Sequence, residues 1–254
     1  MKYDPLGDSI SSIEILYHMG DDLMVVNAAR VSYANESQWE YDEARMQIPG
    51  PAEYTFTNPH LKDSDAKLIH YLAIHNHISP FFHPQIQFRI KMPIFVAREW
   101  MRSNIGVAYN EVSRRYVDTE PEIFVPKYLR GRAEKGQSKQ GSNAEYFAGR
   151  FQEEQVLIRR MKNFAVESAT MYDSLLRDGV APEMARQVLP VALYTEVIMT
   201  ASLHACARIY GLRSTPDVQA ETRAYAWAMG KLIQPLFPVS WKELCNDSNA
   251  LSQS

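Results

Sequence analysis

The sequence predicts a mixed α/β protein, α+β in kind, with a helix-rich C-terminal half. Three observations carry this. The segment QIQFRIKM (85–92) alternates strictly between apolar and polar residues, as a half-buried strand does. Several segments, most of them after residue 147, repeat apolar residues at helical spacing. Finally, 254 residues with 46% hydrophobic and 22% charged side chains suit a globular chain with length for one large core or two small domains.

Taken in order, Asp21 or Asp22 is placed to cap a helix through DDLMVVNAARVSY. Residues 35–58 hold a Pro-Gly-Pro break and no sustained period, so they read as a long surface excursion. A helix follows through SDAKLIHYLAIHNH. In the alternating strand, Ile86, Phe88, Ile90 and Met92 form the apolar face, and Gln85, Gln87, Arg89 and Lys91 the polar one. Pro93 is suited to open a helix through PIFVAREWMR, on which Arg98 and Arg102 are four apart and share a face. Residues 130–145 are polar and aperiodic, the mark of a loop or insertion. A long helix is expected from Phe147 to Arg177, ending at Gly179. Shorter helices fit PEMARQVL, SLHACARIYGL and PDVQAETRAYAWAMGKLI, with a strand-like ALYTEVIMT between the first two. No internal repeat is visible.

Several function classes are disfavoured. The formal charge of -3 provides no broad basic field for nucleic acid or anionic membrane, so any anion site must be local. No apolar run reaches membrane-span length, and the N-terminus lacks a signal peptide's apolar core, so a cytoplasmic location is expected. Cys206 and Cys245 offer neither a disulfide framework nor a metal pair. Cys206, inside an apolar helix, reads as a buried small residue. The spacing of His75, His77 and His83 fits no familiar metal motif, so no metal is expected. Neither a Walker A motif nor a GxGxxG loop is present.

One stretch stands out. REWMRSNIGVAYNEVSRRY (98–116) holds four arginines, Arg98, Arg102, Arg114 and Arg115, with Glu99 and Glu111. The plain reading is a solvated face of internal ion pairs. Against it, the cluster continues past the helix into NEVSRRY, where guanidinium forks stand beside the Ser113 hydroxyl and backbone N–H groups, the donors of an oxyanion site. Arg186 and Arg213, near the ends of later helices, are either further anion ligands or ordinary helix C-terminal cations.

The same stretch resembles the signature of the flavin-dependent thymidylate synthases. Similarity extends through DDLMVVNAARVSY, LIHYLAIHNHISPFFH, KMPIFVAREWMR, YNEVSRRY, GVAPEMARQVLP, LYT and GLRS, most of the chain outside 35–58 and 130–145. The resemblance implies a single domain over residues 1–254 with insertions at those two places and a central mixed sheet. It also implies a homotetramer with active sites shared between subunits. FAD would be the cofactor, methylenetetrahydrofolate and NADPH the co-substrates, and a uridine nucleotide monophosphate the substrate, methylated at C5. Residue by residue, Arg213 would polarise the uracil. Glu99, Arg102, Glu111, Ser113, Arg114, Arg115 and Arg186 would surround the nucleotide, with Arg115 and Arg186 on the phosphate and Glu111 toward the sugar. His77, Ser79, Arg102, Ser103, Asn104, Ile105, Glu111, Ser202, His204 and Arg208 would face the flavin.

The sequence also departs from the family pattern. Arg-His-Arg is here Arg102-Ser103-Asn104, and eight residues rather than seven separate Asn104 from Ser113. Ile78-Ser79 and Phe82 replace a polar pattern and a glutamate; His204 and Arg208 stand where the family more often has other polar residues. Glu99 replaces a glutamine expected near the phosphate, where Arg114 is a candidate to screen it. These changes suggest a remodelled flavin pocket and leave open UMP or dUMP as substrate, the former in keeping with antibiotic biosynthesis. A hydroxymethylated product and a non-catalytic nucleotide-binding role are the alternatives.

Overall fold

A computed structural model describes residues 1–47, 53–116, 119–132, 142–143 and 147–246. Its centre is a five-stranded sheet in the order β1 (Lys2–Tyr3), β2 (Ser12–Met19), β5 (Gln85–Pro93), β9 (Tyr194–Ser202), β6 (Val107–Glu111). Every neighbouring pair is antiparallel, so the sheet is not mixed as expected. The helix-rich C-terminal half is as predicted. Between β2 and β5 lie α1 (Asp22–Arg30), the ribbon β3 (Glu40–Gln47) and β4 (Glu53–His60), and α2 (Asp63–Ile74). Helix α3 (Ile94–Trp100) follows β5, and the short pair β7 (Gly131–Arg132) and β8 (Ser142–Asn143) follows β6. The C-terminal helices are α4 (Phe151–Arg177), α5 (Pro182–Ala185), α6 (Leu203–Arg213), α7 (Ala220–Ile233) and α8 (Pro238–Asn246).

The alternation in β5 does what its period demands. Ile86, Phe88 and Ile90 are fully buried and Met92 nearly so. They join Met199 and Ala201 of β9 and Ile13 of β2 in one core with Ile209 of α6 and Tyr225, Met229 and Ile233 of α7. The opposite face of β5 is polar. Gln87 donates to Thr200 Oγ1 at 3.0 Å, and Arg89 lies 3.9 Å from Glu14 and 3.7 Å from Glu196. Burying one face of a strand fixes its register, since a slip of one residue would expose the whole apolar row.

Asp21 caps α1, accepting from Met24 N at 3.0 Å. The excursion at 35–58 is not irregular throughout: β3 and β4 pair over Glu40–Gln47 and Glu53–His60. The sequence YTFT at 54–57 is rich in strand formers, but a ribbon's pairing is non-local and weakly patterned in sequence. The Pro-Gly-Pro break lies outside the described residues, as does most of the 130–145 insertion. The root of the excursion is anchored by fully buried Asp65, which accepts from Arg30 and from Ser37 Oγ. Helix α4 starts at Phe151 rather than Phe147, and only Ala165, Ser168 and Tyr172 along it are buried. No described helix is long and apolar enough to cross a membrane.

Candidate active site

Helix α3 is shorter than its sequence suggests. Pro93 closes β5 and precedes the helix, which ends at Trp100, so Arg102 lies in the turn beyond and does not extend a helical face with Arg98. A helix end leaves carbonyls without intrahelical partners. Ala97 O accepts from Met101 N, Trp100 O from Ser103 N at 3.2 Å, and Glu99 O from Arg213 Nη2 at 2.8 Å. Arg213, the last residue of α6, thus serves the C-terminus of a different helix, where a cation is favoured. Its Nη1 is 3.5 Å from Glu99 Oε1, while Glu99 Oε2 accepts from Thr222 Oγ1 of α7 at 2.8 Å. Arg213 Nε is buried and has no partner among the described residues. A buried donor left unpaired is costly, and so marks a place where a ligand acceptor would be accommodated.

The sequence offers Arg114 as the cation that screens Glu99, but Glu99 is paired with Arg213. Arg114 donates instead to the carbonyls of Thr119 and Glu120 and lies over the Tyr172 ring at 5.9 Å. The rest of the NEVSRRY segment follows β6. Glu111 accepts from Thr195 Oγ1 of β9 at 2.7 Å, and Ser113 Oγ accepts from Arg115 N at 3.3 Å and Arg115 Nε at 3.4 Å. Arg115 stacks on Tyr116 at 5.0 Å. Arg186 opens the 3-10 turn after α5 and is exposed. The side chains of Arg102 and Arg186 make no hydrogen bond or ion pair among the described residues, leaving both guanidinium groups available to an anion. Among the described residues, Arg115, Arg186 and Arg213 share no bonding partner within the chain.

A second group of expected residues gathers at the start of α6. Ser202 caps this helix, accepting from Ala205 N at 3.1 Å. His204 is buried, its ring 4.9 Å from that of Phe82, and its Nε2 has no partner among the described residues. Burial, and after it the charge of Arg208, lowers the His204 pKa, keeping the imidazole neutral. The turn after α3 closes over this end of α6: Ser103 is buried and accepts from Tyr109 OH at 3.0 Å through its carbonyl, while Asn104 and Ile105 are exposed. The start of the Ser79–Phe82 turn borders a groove of about 950 Å³ that Arg30, Ser32, Lys67, His77 and Ser79 line. The structure thus joins Ser202, His204 and the turn at 102–106 near Phe82, and places His77 and Ser79 in the adjoining groove. Arg208 is half-buried on α6.

Cys206 is fully buried and burial raises its thiol pKa; burial also pushes that of Cys245 up to about 12. Neither supplies a ready thiolate. No group of three or more potential metal ligands occurs among the described residues. Sequence reasoning did not find Thr222 or Thr195. Each acts through a hydroxyl contact across elements far apart in the chain, for which a single sequence carries no local signal.

The model for the thymidylate synthase complementing protein family matches residues 14–239. A flavin-dependent thymidylate synthase from Thermus thermophilus is 34% identical over 229 residues, covering 90% of this chain and 73% of that protein. The corresponding protein of Kosmotoga olearia is 33% identical over 92% of this chain and 90% of its own length. Among solved structures, the UMP/dUMP methylase PolB from Streptomyces cacaoi, bound with 5-Br dUMP, superposes with a TM-score of 0.73. It is 26% identical, with 93% of this chain and 95% of that one covered.

Proposed function

The chain belongs to the thymidylate synthase complementing family, and from that premise we propose that it is a flavin-dependent methyltransferase acting at C5 of a uridine nucleotide monophosphate, UMP or dUMP. The relatives' names and the likeness to a UMP/dUMP methylase support this reading. The observation that carries it is the arginine at the end of α6, held at two nitrogens by Glu99 while its buried Nε has no partner among the described residues.

Uracil C5 is a poor nucleophile. A thiolate adding at C6 would activate it, but neither cysteine is suited to that step. The other route draws the ring toward its N3-deprotonated, enolate-like form, which a fixed cation at N3 and O4 stabilises as charge develops. Arg213 takes this role. Arg115 and Arg186 bind the phosphate, Ser113 and Glu111 orient the nucleotide, and Arg102 adds charge between nucleotide and cofactor.

The residues around the start of α6 fit a flavin: the neutral His204 Nε2 and the Arg102 guanidinium, both without a partner among the described residues, are poised for hydrogen bonding next to a large groove containing His77 and Ser79. Ser103, Asn104, Ile105, Ser202 and Arg208 complete the proposed lining, and the Phe82–His204 ring contact takes the place of polar family positions. Bound FAD supplies the hydride equivalents, drawn from NADPH, that reduce the one-carbon unit donated by methylenetetrahydrofolate.

We infer that the active form is a homotetramer of single-domain protomers. The proposed phosphate-binding arginines and Arg213 share no bonding partner among the described residues of one chain. Moreover, α4 exposes Leu157, Met161, Phe164 and Met171 at spacings of four, three and seven, an apolar stripe suited to burial against another helix.

The test is a side-by-side assay of UMP and dUMP with FAD, methylenetetrahydrofolate and NADPH, read by product mass. A gain of one methyl group on either nucleotide is expected. A hydroxymethyl product would replace the reductive step, and binding without any product would make the protein a non-catalytic nucleotide binder.

A further inference from the structure

Glu99 holds Arg213 at two points of its own structure: the backbone carbonyl takes Nη2 at 2.8 Å, and the carboxylate faces Nη1 at 3.5 Å. A planar guanidinium restrained at both terminal nitrogens has little freedom to rotate out of its plane. The second carboxylate oxygen is itself restrained by the fully buried Thr222, whose hydroxyl donates at 2.8 Å. Next to Thr222 on α7, Glu221 is clamped by Arg130, so the first turn of α7 is tied on both sides. The nitrogen of Arg213 that is buried without a partner among the described residues is Nε.

We propose that Glu99, braced by Thr222, is a positioning residue that fixes the guanidinium plane of Arg213 for its contact with the pyrimidine. This rests on the proposed role of Arg213. It also gives Glu99 a task other than phosphate binding. A carboxylate already committed to a cation and a hydroxyl carries a compensated charge, which lowers its cost near an anionic nucleotide. Without the carboxylate, Arg213 keeps only its bond to the Glu99 carbonyl and turns about it. The loss falls on the transition state, where pyrimidine charge must be met by a fixed donor, more than on the ground state.

A glutamine retains the geometry, its amide oxygen accepting from Nη1 and its amide nitrogen donating to the Thr222 oxygen. An alanine removes both contacts. The experiment compares Glu99→Gln, Glu99→Ala and Thr222→Val in the full-length holoenzyme. Its readouts are kcat, the nucleotide Kd, and the ultraviolet titration of bound 5-bromo-UMP, whose bromine makes N3 more acidic and whose ionised ring absorbs differently.

In Glu99→Ala, kcat should fall roughly tenfold while the nucleotide Kd changes by less than about threefold, and the N3 titration of the bound analogue should move up by about one pH unit. Glu99→Gln should recover to within about threefold of the parent in all readouts. Thr222→Val, which keeps the side-chain shape, should shift kcat and the titration in the same direction as alanine by a smaller amount, and it decides the matter should Glu99→Ala fail to fold.

Glutamine as damaging as alanine would overturn positioning in favour of charge. A loss carried by Kd alone would return Glu99 to nucleotide binding. Titration of the analogue on the parent enzyme at the same pH as in free solution would remove Arg213 from the pyrimidine, and this proposal with it. The failure of the methylation reading itself is seen separately, as absence of product from UMP and dUMP with the parent enzyme.

Discussion

Both carboxylate oxygens of Glu221 accept from a single nitrogen, Nη2 of Arg130, at 2.8 and 2.7 Å. The pair ties the start of the 130–145 insertion to the first turn of α7, and Arg130 Nε donates onward to Ser142 Oγ at 2.9 Å. Both side chains are largely buried, so the contact is sheltered from solvent. Burial, the largest influence, would by itself raise the Glu221 pKa, but the hydrogen bond and charge of Arg130, with hydrogen bonds from the backbone and Gln219, together outweigh it and the net shift is downward.

A carboxylate with a lowered folded-state pKa contributes stability that is present above its unfolded pKa and lost as pH falls through the folded value. Arg130→Met should therefore cost about 3 kcal/mol near neutral pH. It should also flatten the acid limb of the stability curve below about pH 4.5. Urea unfolding at a series of pH values checks both.

Arg213→Ala should depress turnover by about a hundredfold or more while raising the nucleotide Kd much less, because its contact strengthens as charge develops on the ring. Steady-state kinetics beside calorimetric titration separates the two. Equal losses would assign Arg213 to binding alone.

Arg115→Ala and Arg186→Ala should act the other way, weakening nucleotide binding by on the order of 2 kcal/mol or more with kcat less affected at saturation. A nucleoside lacking the phosphate should bind parent and variants alike. Unchanged nucleotide dissociation constants would remove both residues from the phosphate site.

Gly106 has φ of +73°, and a Cβ there would meet Ala205 Cβ at 3.3 Å and Ser202 Oγ at 3.5 Å. Gly106→Ala should cost about 1–3 kcal/mol, since a left-handed conformation and a close contact are imposed together. It should also weaken flavin binding by displacing the turn at 102–106 from the start of α6. Thermal unfolding and flavin fluorescence titration report the two effects.

Phe164→Glu combined with Met171→Glu places two carboxylates on the exposed apolar stripe of α4. The double variant should lower the oligomeric state seen by light scattering, while its circular dichroism stays unchanged, because both side chains are exposed in the isolated chain.

The sequence alone determined the elements whose signal is local. The period of two in β5 placed Ile86, Phe88, Ile90 and Met92 in the core, the Asp21-Asp22 pair marked the start of α1, and the long helix appeared within a few residues of its expected start. The arginine-rich stretch and the blocks around it also made the family legible, since those residue types recur at set positions along the chain. Tertiary structure decided what depends on partners distant in sequence. Strand direction is one case: the alternation in β5 is equally compatible with parallel or antiparallel neighbours, and only the pairing with β2 and β9 made the sheet antiparallel. The ribbon in the excursion is another, because its strands are held by hydrogen bonds between segments with no sustained period. Glu99 and Arg213, 114 positions apart, are the third. Arg114 is the nearer arginine in sequence. The end of α3 nevertheless presents Glu99 to the last residue of α6, and that geometry selects the partner.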